Sequence, residues 1–168
     1  MLYALCGVSK VGKTTIQEAL LQRQPLLGRF VTSTTREPRP GEVDHIDYHF
    51  LSVQHFQSAV QIGRIVCPIQ YREAWYGTAR EDLDACAKRD MIAVLRPDKI
   101  TELQKFTALI GIYILKGGQD QPISLDDQVI INHRHLCLHQ VTNIPGNLDT
   151  AVTEIFALIY TYSGGSLV

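Results

Sequence analysis

Leu2-Tyr3-Ala4-Leu5-Cys6 followed by Gly7-Val8-Ser9-Lys10-Val11-Gly12-Lys13-Thr14 reads as an apolar strand that runs into a glycine-bounded loop. Five consecutive apolar residues are how a strand covered on both faces looks, and such strands belong to parallel sheets. The loop fits G-x-x-x-x-G-K-[ST], the pattern that wraps nucleotide phosphates. Thr15-Ile-Gln-Glu-Ala-Leu-Leu21 then carries a helix. The chemistry needs that order, because loop amides and a helix N-terminus supply partial positive charge to an anion. Gly7 and Gly12 permit turns and close approach that a Cβ would block. Lys13 adds a mobile full charge, and the Thr14 hydroxyl is placed to ligate Mg²⁺.

Working outward, Met91-Ile-Ala-Val-Leu95 and Leu109-Ile-Gly-Ile-Tyr-Ile-Leu115 are two more nearly continuous apolar runs. Helical patterns lie between and after them. In the last, Asn147 is expected as N-cap, with Leu148, Ala151, Val152, Ile155, Ile159 and Tyr162 on one stripe. Strands alternating with helices give an α/β fold: a P-loop parallel sheet flanked by helices. Residues 34 to about 77 read differently. Pro38, Pro40 and Gly41 punctuate them, Tyr48-His-Phe50 alternates, and Arg64–Tyr71 is strand-like. Ser52 is expected to cap a short helix that turns Val53, Phe56, Ala59 and Val60 inward.

The chain has 168 residues, is 45% hydrophobic and carries a net charge of −1. That predicts one compact domain and argues against nucleic acid or an anionic membrane as partner. Charge is uneven, however: residues 1–39 hold six Lys/Arg against two acids, and the remainder ten against fifteen. Cys6, Cys67, Cys86 and Cys137 lie far apart without a CxxC. No basic leader with a long apolar core opens the sequence, so a cytoplasmic protein is expected.

A second signature is Thr32-Ser-Thr-Thr-Arg36-Glu-Pro-Arg39-Pro-Gly-Glu42-Val-Asp44, continuing through Tyr48-His-Phe50. Two arginines three residues apart on a proline-stiffened loop match the oxygens of a second phosphate. At this point the chain resembles guanylate kinases. TTREPRPGEVDHIDYHFLS resembles the family's GMP-binding segment, GVSKVGKTT its phosphate loop, and Trp75-Tyr76-Gly77-Thr78 its Tyr-Gly-Ser/Thr turn.

The resemblance implies a nucleoside monophosphate kinase that transfers the γ-phosphate of ATP, with Mg²⁺, to GMP or dGMP. Gly7, Val8, Ser9, Lys10, Val11, Gly12, Lys13, Thr14 and Thr15 would hold ATP. Arg36, Arg39, Tyr48 and Tyr76 would hold the acceptor phosphate, Thr32 or Ser33 and Thr78 would reach the base, and Glu42 would shape the pocket. It implies a core at 1–33 and 79–168, an inserted monophosphate-binding lobe at about 34–78, and a reduced lid at about 116–136. Lys13, Arg36 and Arg134 would act on the transferring group. Thr78-Ala-Arg-Glu81 is also a capping box for a helix through Leu83 and Ala87.

Three departures qualify the implied function. Cys67 stands where the family places a guanine-binding glutamate, and a thiol is a poor acceptor for guanine N–H groups; Glu73 lies six residues further on. The strand at Met91–Leu95 ends in Arg96-Pro-Asp98, with Asp98 the nearest acid. Arg134 is the only arginine in the stretch where the family's lid carries several. These predict slow turnover, a different phosphorylated acceptor, or a homodimer in which another subunit supplies the arginines. A nucleotide-binding module with little catalysis is the reading from another class. His133, His135, Cys137 and His139 alternate and would share one face of a strand. Their span is too great for one metal ion, so a polar strand face is expected, with Leu136 and Leu138 packed behind it.

Overall fold

The computed structural model describes residues 1–117 and 124–164. In chain order the elements are β1 (Leu2–Cys6), α1 (Lys13–Arg23), β2 (Gly28–Arg29), β3 (Thr32–Thr34), β4 (Tyr48–Phe50), α2 (Val53–Gln61), β5 (Ile65–Tyr71), β6 (Ala74–Ala79) and α3 (Arg80–Ala85). They continue with β7 (Met91–Val94), α4 (Ile100–Leu103), β8 (Leu109–Lys116), α5 (Leu125–Asn132), β9 (His139–Asn143) and α6 (Leu148–Tyr162). Short 3₁₀ helices at Pro97–Lys99 and Arg134–Leu136 precede α4 and follow α5. The chain divides into two units, Met1–Gly28 with Arg89–Val168, and Arg29–Lys88.

The first unit is built on a five-stranded sheet of order β2-β7-β1-β8-β9. β1 lies parallel to β7 and to β8, with Leu2 opposite both Met91 and Leu109, and β8 lies parallel to β9. Every residue of β1 is buried, as expected for a strand between two parallel neighbours. Tyr3, Leu5, Ile92, Ile110, Ile112, Ile114 and Val141 form one core with Ile16 and Leu20 of α1 and Ala151, Val152, Ile155 and Ile159 of α6. Each such aliphatic side chain contributes about 1.5–3 kcal/mol by leaving water. Gly111, on the other face of β8, has no room for a side chain: a Cβ there would lie 2.5 Å from Ile100 Cδ1 of α4. α1 ends at Arg23 because Gln24 precedes Pro25 and adopts the extended backbone that proline demands.

The second unit is a four-stranded mixed sheet of order β4-β3-β6-β5, with α2 and α3. β3 runs parallel to β4 and antiparallel to β6, which forms a hairpin with β5. Ser52 caps α2, its side chain accepting a hydrogen bond from His55 N–H at 3.2 Å. Phe56 is the buried residue of that helix, packed near Trp75 with ring centroids 6.3 Å apart.

Several local expectations need correction. Val53 is 48% exposed, and Phe56 is the one buried residue of the nine-residue α2 rather than one of a full buried stripe. Thr78 does not cap α3. It is held in the β5–β6 ladder opposite Val66, so Ala79 takes the cap position and α3 stops at Ala85. Glu81 bonds Arg64 at 2.7 Å instead of the helix end. For the same reason Trp75–Thr78 is strand, not turn. Asn147 stands at the start of α6, but its side chain makes no capping bond. The histidine alternation is not a strand either: His133 ends α5, His135 sits in the following 3₁₀ helix, and Leu138 is 65% exposed. Among the described residues no group of three His, Cys, Asp or Glu could hold a metal ion. Of the expected lid at 116–136, residues 118–123 lie outside the described residues, and the rest holds α5 and the 3₁₀ helix that contains Arg134.

Candidate active site

The loop Gly7–Gly12 leaves the buried end of β1 and enters α1 at Lys13. Its curvature comes from left-handed backbone at Lys10 (φ 60°) and Gly12 (φ 95°), and from φ 143° at Gly7. A Cβ on Gly7 would lie 2.6 Å from the Ile114 carbonyl oxygen, and one on Gly12 would lie 2.5 Å from Asn143 Nδ2. Neither position admits another residue without moving backbone or displacing Asn143. Val8 and Val11 turn into the core, while Ser9, Lys10, Thr14 and Thr15 are exposed around the loop rim.

Lys13 Nζ donates to the carbonyls of Gly7 at 2.8 Å and Val8 at 2.7 Å, tying the loop's start to its end. An ammonium has three donors, so a third is available to an anion in the loop. Burial pulls Lys13 below the ordinary lysine value, and the charge of Asp127 opposes that pull. Two side chains from outside hold the loop. Asn143, at the end of β9, donates to the Val11 carbonyl at 2.8 Å, and Asp127 of α5 accepts the Ser9 N–H at 2.7 Å. Neither stood out in the sequence. Ser124-Leu-Asp-Asp127 does fit a capping pattern, whereas an asparagine at a strand's carboxyl end carries no local signal.

In the second unit the structure gathers Arg36, Arg39, Glu42, Tyr48 and Tyr76. Arg36 Nη2 pairs with Glu42 Oε1 at 2.9 Å, and Glu42 Oε2 accepts the Arg39 N–H at 2.7 Å. The guanidinium carbon of Arg36 lies 5.4 Å from the Tyr48 ring centroid and 5.8 Å from that of Phe50. Tyr48 and Tyr76 meet edge to face at 6.1 Å. Burial pushes Glu42 upward, but the bonds from Arg36 and the Arg39 amide outweigh it and hold the carboxyl below its usual range. Burial raises Tyr48. Glu42 thus acts as the brace of this loop, fixing one guanidinium and the backbone that carries the second.

Register decides which hydroxyls share this face. Thr32 lies opposite Tyr48, and Thr34 opposite Tyr76, so Thr32, Tyr48, Tyr76 and, two residues along β6, Thr78 point one way. Ser33 lies opposite Gly77 and His49 on the other face, where Phe56 packs. The structure therefore separates Ser33 from the face that carries Tyr48 and Tyr76 and keeps Thr32 with it. Cys67 is half-buried at a break in register between Val66 and Ile69, with φ 51°. A bulge of this kind re-aims a side chain. Glu73 is exposed at the β5–β6 turn. Asp98 sits in the 3₁₀ helix after β7 and pairs with Arg96 Nε at 3.0 Å. Arg134 is exposed just after α5, in the same unit as the phosphate loop.

A family model described as guanylate kinase matches residues 1–118, which hold the phosphate loop and the Arg36–Thr78 cluster. A guanylate kinase of Maricaulis maris is 31% identical over 156 residues, spanning 80% of this chain and 72% of that protein. One of Paramagnetospirillum magneticum is 42% identical over 84 residues, spanning 50% of this chain. The chain spans 39% to 59% of the length of four such curated relatives. The crystal structure of guanylate kinase from Anaplasma phagocytophilum superposes with a TM-score of 0.76 at 16% identity, covering 99% of this chain and 87% of that one, a likeness of fold. With the Gly7–Thr14 loop and the Arg36–Thr78 cluster both inside the matched segment, this chain belongs to the guanylate kinase family.

Proposed function

We propose that the protein transfers the γ-phosphate of ATP to GMP or dGMP. The observation that carries this reading is the intact loop of Gly7–Thr14, with Lys13 clamped across its mouth at the start of α1. In the same family a chain that keeps a phosphate loop together with a braced pair of acceptor arginines has both anion sites that phosphoryl transfer requires. Loop amides and Lys13 would neutralise the donor's β- and γ-phosphates, with Arg36 and Arg39 orienting the acceptor phosphate. Transfer asks little covalent work of side chains; positioning and fixed charge supply the acceleration.

The residues present fit a Mg²⁺ ion. Thr14 offers an exposed hydroxyl oxygen beside Lys13 at the start of α1, and Mg²⁺ takes one or two protein oxygens plus phosphates and water. When bound, Mg²⁺ offsets charge on the phosphates. Arg134 is proposed as the group that meets the transferring phosphoryl from the reduced lid.

Cys67 favours a second reading, a different phosphorylated acceptor, because the position offers a thiol on a bulge where the guanine base would need a carboxylate. A coupled ADP-release assay over GMP, dGMP, AMP, IMP, UMP and CMP separates the two. Preference for GMP and dGMP supports the first, preference for another acceptor the second, and nucleotide binding without ADP release a non-catalytic module. Retention of Lys13 and Thr14 weighs against the last.

A cytoplasmic site of action is proposed from the widely spaced cysteines and the weak net charge, which also weigh against nucleic acid. No helix among the described residues is long and apolar enough to cross a membrane. A homodimer that supplies arginines in trans would show as specific activity rising with protein concentration.

A further inference from the structure

Asp127 is the one charged residue among the described residues that is fully buried, at 0% exposure. A buried carboxylate is costly unless its oxygens accept hydrogen bonds, so where those bonds come from shows what holds it. Asp127 stands at the third position of α5, and Ser124 caps that helix by accepting the Asp127 N–H at 3.2 Å. An acid at this position ordinarily reaches back to the amide of the capping residue. Here Oδ2 accepts from the Ser124 hydroxyl at 3.2 Å, while Oδ1 leaves the helix and accepts the Ser9 N–H of the phosphate loop at 2.7 Å, 118 residues away.

That bond addresses a difficulty built into any phosphate loop. Converging N–H dipoles and an ammonium repel one another when no anion lies among them, so an empty loop tends to open. A fixed acceptor on one amide holds the arc, and the carboxylate charge also attracts Lys13. On the other side of the same arc Asn143 holds the Val11 carbonyl at 2.8 Å. The short segment Ser9–Val11 is thus gripped from α5 and from β9.

We propose that Asp127 is a positioning residue of the donor site: it fixes the Ser9 peptide so that the remaining loop amides converge on the phosphates, and by the same bond seats α5 on the loop. Arg134, two residues beyond the end of α5, is then carried at a set distance from the donor rather than on a freely moving lid. The proposal rests on reading Gly7–Thr14 as the donor site.

The test is ATP binding by titration calorimetry, with Mg²⁺, on the full chain and on Asp127→Ala, Asp127→Asn and Ser124→Ala. Asp127→Ala is expected to weaken ATP about tenfold or more, the loss of one charge-assisted hydrogen bond, with GMP affinity unchanged. Asp127→Asn, which keeps an acceptor oxygen for Ser9, is expected to recover most of that loss. Ser124→Ala removes the helix cap and leaves the carboxylate, so a role confined to stabilising α5 would weaken ATP equally in Ser124→Ala and Asp127→Ala. That equality, or wild-type affinity in Asp127→Ala, overturns the proposal. If the unmodified chain binds no ATP, the donor-site reading falls first and this one with it. Should Asp127→Ala fail to fold, the Asp127→Asn and Ser124→Ala pair decides: Ser124→Ala at wild-type affinity with Asp127→Asn within a few-fold supports the positioning role, and a Ser124→Ala loss of about tenfold overturns it.

Discussion

Arg36 has partners on three sides: Glu42 at one fork of its guanidinium, the Glu37 carbonyl at 2.6 Å on the other, and the faces of Tyr48 and Phe50 beside it. Such an arrangement fixes the planar group before any ligand arrives, so little side-chain freedom is lost on binding. Arg36→Lys is accordingly not conservative. It is expected to raise the KM for GMP about tenfold to a hundredfold, the loss of a bidentate charged contact, with the KM for ATP within about twofold of wild type; steady-state kinetics with each substrate varied checks it. His49 gives a second prediction. The hydrogen bond that His49 Nε2 donates to Asp82 Oδ2 at 3.0 Å raises His49 above its ordinary value of 6.5. A raised folded value means stability is fully present below about 6.5 and is lost as pH climbs through the raised value. Asp82→Asn should therefore destabilise the protein more near pH ~5.5 than near pH ~8.5, read from urea midpoints at each. Single residues were legible where chemistry demands a type: the arginine pair, Lys13 and Glu42. They were not where a side chain's direction depends on register. Ser33 and Thr32 are neighbours with equal claims in the sequence, and only the pairing of β3 with β4 and β6 sends them to opposite faces.

At the scale of elements, the buried parallel strands were the most legible part of the chain, because burial on both faces leaves an uninterrupted apolar run. β1 and β7 fall within a residue of the expected bounds, and β8 runs one residue past its apolar stretch. Short elements were less legible. Alternation at His133–His139 and a capping pattern at Thr78 are both local signals, and both lost to longer-range demands: the end of α5 in one case, the β5–β6 ladder in the other. The second sheet has its own tight point. A Cβ on Gly77 of β6 would lie 2.5 Å from Ile65 Cγ2 and 3.1 Å from Phe56 Cζ, both of them buried side chains with little room to yield. Gly77→Ala is expected to lower stability by about 1–3 kcal/mol through overpacking, seen as a lower denaturation midpoint with an unchanged slope.

For the whole molecule, the family match spans the first 118 positions and the likeness of fold spans 99% of the chain, while Asp127, Asn143 and Arg134 lie in the later part. An arginine offered to a transferring phosphoryl group is worth ~10³–10⁵ in turnover, so the proposed role of Arg134 bears on rate. The central claim is chemical, that a phosphoryl group leaves ATP and arrives on GMP under the charge of Lys13. Following label from γ-³²P-ATP into GDP, with unmodified protein and with Lys13→Ala, tests it most directly. Labelled GDP that depends on GMP and on protein is expected, reduced about 10²–10³-fold or more by Lys13→Ala. Label that stays on ATP with the unmodified protein, or transfer that Lys13→Ala performs at the full rate, would contradict it.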